Sequence, residues 1–315
     1  MTGDNTVGIS ALADALDQCS KLIAEAQPGW HGDQLRACER SVSLLEQCDA
    51  LTSSVALSPE PVRTIHHFAC TGGTLISKCL ASIPNVQLLS EVDPLSDIQS
   101  KSLRGFHPTD LIQLLRSSSR GCSSSLEIEV FKAGMGSIYR DCQQRGFRLV
   151  LRDHAHSKYC VGNKVMERSS LRESLKGSFP IRSIVTVRHP LESYLSLSRQ
   201  GWLDFEPSDI DEYSYRYLSF LRDHSGLKIF KYESFVEQPK IELQNYCSEL
   251  ELPFTESFED LFGVHKLSGD SGRSSPVIAP RPPRKADESI KLQIGASSNY
   301  AELCRRLDYP LYLDS

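Results

Sequence analysis

A chain of 315 residues, 40% of them hydrophobic, can bury a substantial core in one large α/β domain or in one domain with a small appendage. Its formal net charge of −5 gives no support for a nucleic-acid-binding surface, which is ordinarily basic. The ten cysteines hold no Cys-x-x-Cys pair and no His/Cys ligand spacing, so neither a zinc site nor a disulfide framework is expected, and free thiols in a reducing compartment are.

The chain opens with Ile9, Leu12, Ala15, Leu16, Cys19, Leu22 and Ile23 at helical spacing, stopped by Gln27-Pro28-Gly29. Leu35, Cys38, Val42, Leu45 and Cys48 mark a second amphipathic helix from about Asp33 to Leu51. The two predict a helical hairpin over residues 1–58. It either packs on the following domain or serves as a partner-binding arm, through which a homo-oligomer would form. The Ser- and Pro-bearing stretch Thr52 to Pro61 reads as a linker, and a second domain is expected over 59–315. No run reaches the roughly 18 apolar residues of a membrane span, and Met1 to Asn5 lacks the basic flank of an export signal. A soluble, cytoplasmic protein is the expectation.

The second domain starts with an apolar strand, Thr64 to Ala69, a turn Cys70-Thr71-Gly72-Gly73-Thr74, and a helix beginning near Leu75. Unpaired amides and the positive end of the helix dipole suit an anion, and glycines let a phosphate approach the backbone. A tight strand-to-helix turn with close packing explains the same glycines without a ligand. No Gly-Lys-Ser/Thr closes the loop, so a Walker-type hydrolase is not indicated.

Further strands are expected at Val86 to Leu89, Phe147 to Arg152 and Ile184 to Val187, with helices over 109–117, 123–145, 208–224 and 299–307. Arg152-Asp153-His154-Ala155-His156 makes one strand end unusually ionisable. Residues 157–177 carry no clear period and suit a substrate-facing loop. Arg188 stands at the carboxyl end of its strand, where open α/β sheets bind ligands, and Pro190 begins a helix carrying Ser196.

Together these pieces resemble the P-loop sulfotransferases, which use 3′-phosphoadenosine 5′-phosphosulfate (PAPS). The resemblance rests on Cys70 to Thr74, on Arg188 with Ser196 eight positions later, and on Ile229 to Phe235 followed by Pro239, and it covers roughly residues 60–285. It implies a central parallel sheet flanked by helices and a sulfuryl transfer to a hydroxyl acceptor without a metal. Cys70, Thr71, Gly72, Gly73, Thr74 and Leu75 would hold the 5′-phosphosulfate. Arg188, Ser196 and Arg273, in a basic loop, would hold the 3′-phosphate, with Arg281 and Arg284 as weaker candidates.

Family members usually carry a lysine where this chain has Cys70. The resemblance puts Arg152 forward as its substitute. It offers two general bases, His154 by the cytosolic pattern and Glu91 by that of the tyrosylprotein branch, with Asp153 able to orient the imidazole. Two rivals remain: a catalytically silent nucleotide-binding regulatory protein of the same fold, and a P-loop nucleoside-phosphate kinase. The acceptor has no readable code.

Overall fold

The strand that opens the second unit, β1 (Val62–His67), is buried at every position. That is the environment of a central strand in a parallel sheet covered on both faces. A computed structural model describes residues 59–98, 108–268 and 277–312, with 17–19, 21–22, 25 and 43 in addition. The chain divides into two compact units, Met1–Ser58 and Pro59–Ser315. The expected helical hairpin falls almost wholly outside the described residues, and Arg273 lies outside them too.

After β1 come α1 (Gly73–Ala81), β2 (Val86–Val92), α2 (Leu111–Arg116), α3 (Ser124–Gln144), β3 (Arg148–Asp153) and α4 (Ala155–Tyr159). There follow β4 (Val161–Gly162), α5 (Leu171–Leu175), β5 (Ile181–Val187), α6 (Pro190–Arg199), β6 (Asp204–Phe205), α7 (Ile210–Asp223) and β7 (Lys228–Lys231). The chain ends through α8 (Tyr232–Glu237), α9 (Pro239–Glu249), α10 (Phe258–Leu261), α11 (Glu288–Ala296) and α12 (Ser298–Leu307).

Five strands form one sheet in the order β2-β3-β1-β5-β7. Every neighbouring pair is parallel. The molecule is thus an α/β fold with a central parallel sheet flanked by helices. From β1 the chain runs to β2 on one side, whereas β3 crosses back to β5 on the other. Such a reversal opens a crevice at the carboxyl edge of the middle strands.

Alternation along the strands sorts the core. Ile65, Val150 and Ile184 pack with Leu75, Ile76 and Leu80 of α1 and with Leu243 and Tyr246 of α9. On the opposite face Leu149 and Leu151 meet Met135 and Cys142 of α3, and Val185 and Val187 meet α6, α7 and α12. The charge in β1 is accommodated as well. Arg63, 1% exposed, donates to the carbonyls of Leu250, Pro61 and Glu251 and pairs with Glu60.

Three local expectations change. The stretch 157–177 contains the end of α4, β4 and α5, whose start is a capping box of Ser170 and Glu173. The stretch from Ile229 turns helical at Tyr232, directly after β7. Helix α11 was hidden from periodicity because Ile294 is its only buried residue. Every described cysteine is free, and among the described residues no helix is long and apolar enough to cross a membrane.

Candidate active site

Between β1 and α1 the chain makes its turn with two residues in the left-handed region, Cys70 at φ 60° and Gly72 at φ 89°. Gly72 is the N-cap of α1, and the Leu75 and Ile76 amides close on its carbonyl at 3.1 and 3.3 Å. The Leu75 amide is thereby engaged within the first helical turn. The Thr71 hydroxyl is likewise turned inward, donating to the Phe68 carbonyl at 2.7 Å. It shapes the turn and does not face a ligand.

Both glycines are required by neighbouring rings. A Cβ on Gly72 would stand 2.2 Å from Tyr232, and one on Gly73 would stand 2.3 Å from the His67 ring. Close packing therefore accounts for the glycine pair by itself. The amides at the start of α1 still give the loop the electropositive character of a helix N-terminus.

On one flank of the loop lies a cluster built by β1, β2 and β3. Arg152, 5% exposed, donates through Nε to His67 at 3.1 Å and through Nη1 to Ser90 Oγ at 3.0 Å. Its Nη2 meets Glu91 Oε1 at 2.6 Å, and the other oxygen of Glu91 is 3.3 Å from His154 Nε2. Glu91 reaches this position through a local irregularity. The β2–β3 register shifts between Leu89 and Val92, and Glu91 adopts φ 60°, as a bulge that re-aims a side chain does.

The two candidate bases therefore stand side by side, 3.3 Å apart. Burial raises the Glu91 carboxyl above its ordinary range, opposed by Arg152. Burial also lowers His154 to about 4, aided by His156. Both shifts favour the uncharged form of the group, as burial does for an acid and a base alike. The expectation that Asp153 orients the His154 ring is corrected. Successive side chains of a strand point to opposite faces, and the Asp153 carboxylate lies 2.7 Å from His66 Nδ1 instead.

On the other flank, Arg188 at the end of β5 places Nη1 3.4 Å from the Cys70 carbonyl and Nη2 2.8 Å from Glu192. Its guanidinium lies over the Tyr232 ring, 5.1 Å from the centroid. Glu192, in the first turn of α6, also receives the Arg284 backbone amide and its Nη1, the latter at 2.7 Å. One carboxylate thus sits between two guanidinia, leaving an excess of one positive charge. Ser196 hydrogen-bonds the Cys70 thiol, whose ionisation burial disfavours.

The structure brings Cys70 to Thr74, Glu91, Arg152, His154, Arg188 and Ser196 to one edge of the sheet. Arg284 rather than Arg281 joins them. Glu192 escaped sequence reasoning, although the i, i+4 spacing of Arg188 and Glu192 is visible in it. His189, buried and bonded through Nε2 to the Pro310 carbonyl at 2.9 Å, is structural. A cavity of about 350 Å³, lined by Lys158, Met166, Arg168, Tyr215, Arg222 and Asp223 among others, lies at 157–177 and α7 and includes none of the loop residues.

No protein-family model and no curated protein matches the chain. Among solved structures it is similar to the sulfotransferase domain from the curacin biosynthetic pathway at 15% identity and a TM-score of 0.48, over 82% of this chain and 100% of that one. It is similar as well to the sulfotransferase domain from the Synechococcus PCC 7002 olefin synthase at 17% identity and a TM-score of 0.43, over 81% and 97% of the two chains.

Proposed function

We propose that the chain is a sulfotransferase that grips PAPS between the Cys70–Thr74 turn and Arg188 and passes the sulfuryl group to a hydroxyl acceptor. One observation carries this reading: the Arg188 guanidinium reaches the Cys70 carbonyl across 118 residues of sequence. The two halves of the nucleotide site implied by the family resemblance therefore abut.

The residues fit an adenosine nucleotide phosphorylated at both 3′ and 5′ positions. Amides of Gly73 and Thr74 would take the 5′-phosphate at the start of α1. Arg188 and Arg284, with Ser196 beside them, would take the 3′-phosphate, since two guanidinia outnumber the single Glu192 carboxylate. Bound PAPS supplies the activated sulfuryl group. Arg152 would balance charge growing on the departing phosphate, in place of the family's lysine. Glu91, 3.3 Å from His154, would accept the acceptor's proton.

Titration with adenosine 3′,5′-bisphosphate tests the site, and transfer of labelled sulfate from PAPS to a panel of carbohydrate, phenolic and aliphatic alcohols tests the reaction. Absence of saturable nucleotide binding would overturn both parts. Arg152 is already engaged by Glu91, His67 and Ser90, which favours one second reading, a silent nucleotide-binding regulator. Tight binding with no transfer to any acceptor would select it, and magnesium-dependent phosphoryl transfer from ATP would select a kinase.

A further inference from the structure

Behind the catalytic cluster, on the opposite face of the sheet, three ionisable side chains converge without solvent. His66 on β1 is 0% exposed, Asp153 at the end of β3 is 5%, and His224, the C-cap of α7, is 3%. His66 Nδ1 stands 2.7 Å from Asp153 Oδ2. His224 Nε2 stands 3.9 Å from that same oxygen. The three potential ligand atoms all lie within 4.8 Å of one another.

Hydrogen bonding on the far side of the His224 ring fixes what it presents inward, and that on the far side of the His66 ring admits either tautomer. His224 Nδ1 lies 2.9 Å from the Phe220 carbonyl, which can only accept, so that nitrogen carries the proton. In the neutral ring Nε2 is then a lone pair. It has no hydrogen-bond partner among the described residues, and it faces a carboxylate oxygen. A buried, unpartnered lone pair 3.9 Å from a buried carboxylate oxygen is a position that a cation would satisfy. His66 Nε2 is 2.9 Å from Thr64 Oγ1, which is 2.7 Å from Ser183 Oγ. With the proton on Nε2 and passed along this hydroxyl chain, Nδ1 becomes a third inward lone pair.

We propose that His66, Asp153 and His224 form a buried binding site for one zinc ion, which clasps β1, β3 and the end of α7 beneath the active-site edge. Tetrahedral ligand atoms about 2.1 Å from zinc stand roughly 3.4 Å apart. The observed separations of 2.7 and 3.9 Å fall on either side of that spacing. Each imidazole already has the outer partner that orients a metal-bound histidine, a carbonyl for one and a hydroxyl for the other. Two histidines and one carboxylate are a zinc donor set that leaves a fourth position unfilled by protein. Nearby charge is mixed: Arg172 acts on His66 and Arg168 on Asp153 against a cation, while Asp93 and Asp223 act on Asp153 and His224 in its favour, each being paired in turn with Arg168 and Lys158. Sequence spacing conceals the site because its ligands come from three distant segments. The ion would belong to the framework and take no part in sulfuryl transfer.

The test uses the purified full chain. Elemental analysis is expected to find about one zinc per chain, and cobalt(II) added to the chelator-treated protein should give the visible bands of a tetrahedral nitrogen and oxygen site. His224→Ala and His66→Gln should each weaken cobalt binding by at least roughly tenfold. Zinc should also raise the thermal midpoint of the wild-type chain, a readout that stands even where a variant does not fold. The proposal is overturned if cobalt gives no such spectrum and zinc no thermal shift. A thiolate charge-transfer band, placing the metal on cysteine, overturns it equally, as does binding unchanged in both folded variants.

Discussion

Replacing Arg188 by alanine removes a 2.8 Å ion pair with Glu192, a 3.4 Å bond to the Cys70 carbonyl and a guanidinium lying over Tyr232. Glu192 is not left bare, because Arg284 keeps its own 2.7 Å contact. The fold should therefore survive at a cost of about 1 kcal/mol, the usual net value of one hydrogen bond. Nucleotide binding should suffer more. Loss of a charge-assisted bond to a phosphate is worth about 1.5 to 3 kcal/mol, which corresponds to roughly 10- to 150-fold weaker affinity for adenosine 3′,5′-bisphosphate. Isothermal titration calorimetry measures this directly, with thermal unfolding run on the same samples. Arg188→Lys restores charge without the planar fork and should recover only part of the loss. A folded Arg188→Ala protein with wild-type affinity would refute the site, since the guanidinium would then contribute nothing to the nucleotide.

Glu91→Gln and His154→Ala should each lower the transfer rate at saturating PAPS by at least about tenfold; near wild-type rates in both would remove the base from this cluster. The Glu91 carboxyl must be ionised to accept a proton, and burial raises its pKa above the ordinary 4.5. The rate should accordingly fall with decreasing pH along a limb whose midpoint lies above that value, and the limb should vanish in Glu91→Gln. Gly72→Ala should destabilise the protein by about 1 to 3 kcal/mol through overlap with Tyr232, plus about 1 to 2 kcal/mol for its left-handed backbone. Adding Tyr232→Ala should return the overlap share in a double-mutant cycle, and a purely additive result would contradict the packing. Glu127 takes two bonds from Arg116, at 2.8 and 2.6 Å, and Arg116 also ties down the carbonyls of Pro94 and Ser96 behind Glu91. Glu127→Gln should cost about 1 to 3 kcal/mol in urea unfolding at pH 7. Arg116 holds the Glu127 carboxyl below its usual 4.5, so this contribution is present above that pH and disappears as pH falls through the lowered value. An equal difference at pH 7 and pH 3 would be inconsistent with the pairing.

Much of this molecule is written locally. Buried strands such as Ile184 to Val187, the stop at Pro190 and the left-handed turn at Gly72 follow from side-chain size, ring closure and backbone freedom, all properties of short segments. That is why strand order aside, the α/β architecture and the positions of the loop, Arg188 and Ser196 could be read along the chain. Tertiary structure decided the rest. Only the folded sheet reveals that Gly72 and Gly73 are small because Tyr232 and His67 press on them, and that Glu91 and His154, rival bases on paper, stand 3.3 Å apart. Only there does Asp153 turn to His66, and only there does Glu192 join Arg188 to an arginine 92 residues beyond it. The physical reason is one of range: periodicity and capping act over a few residues, whereas ion pairs, ring contacts and shared protons depend on distances that the chain acquires only when its strands align.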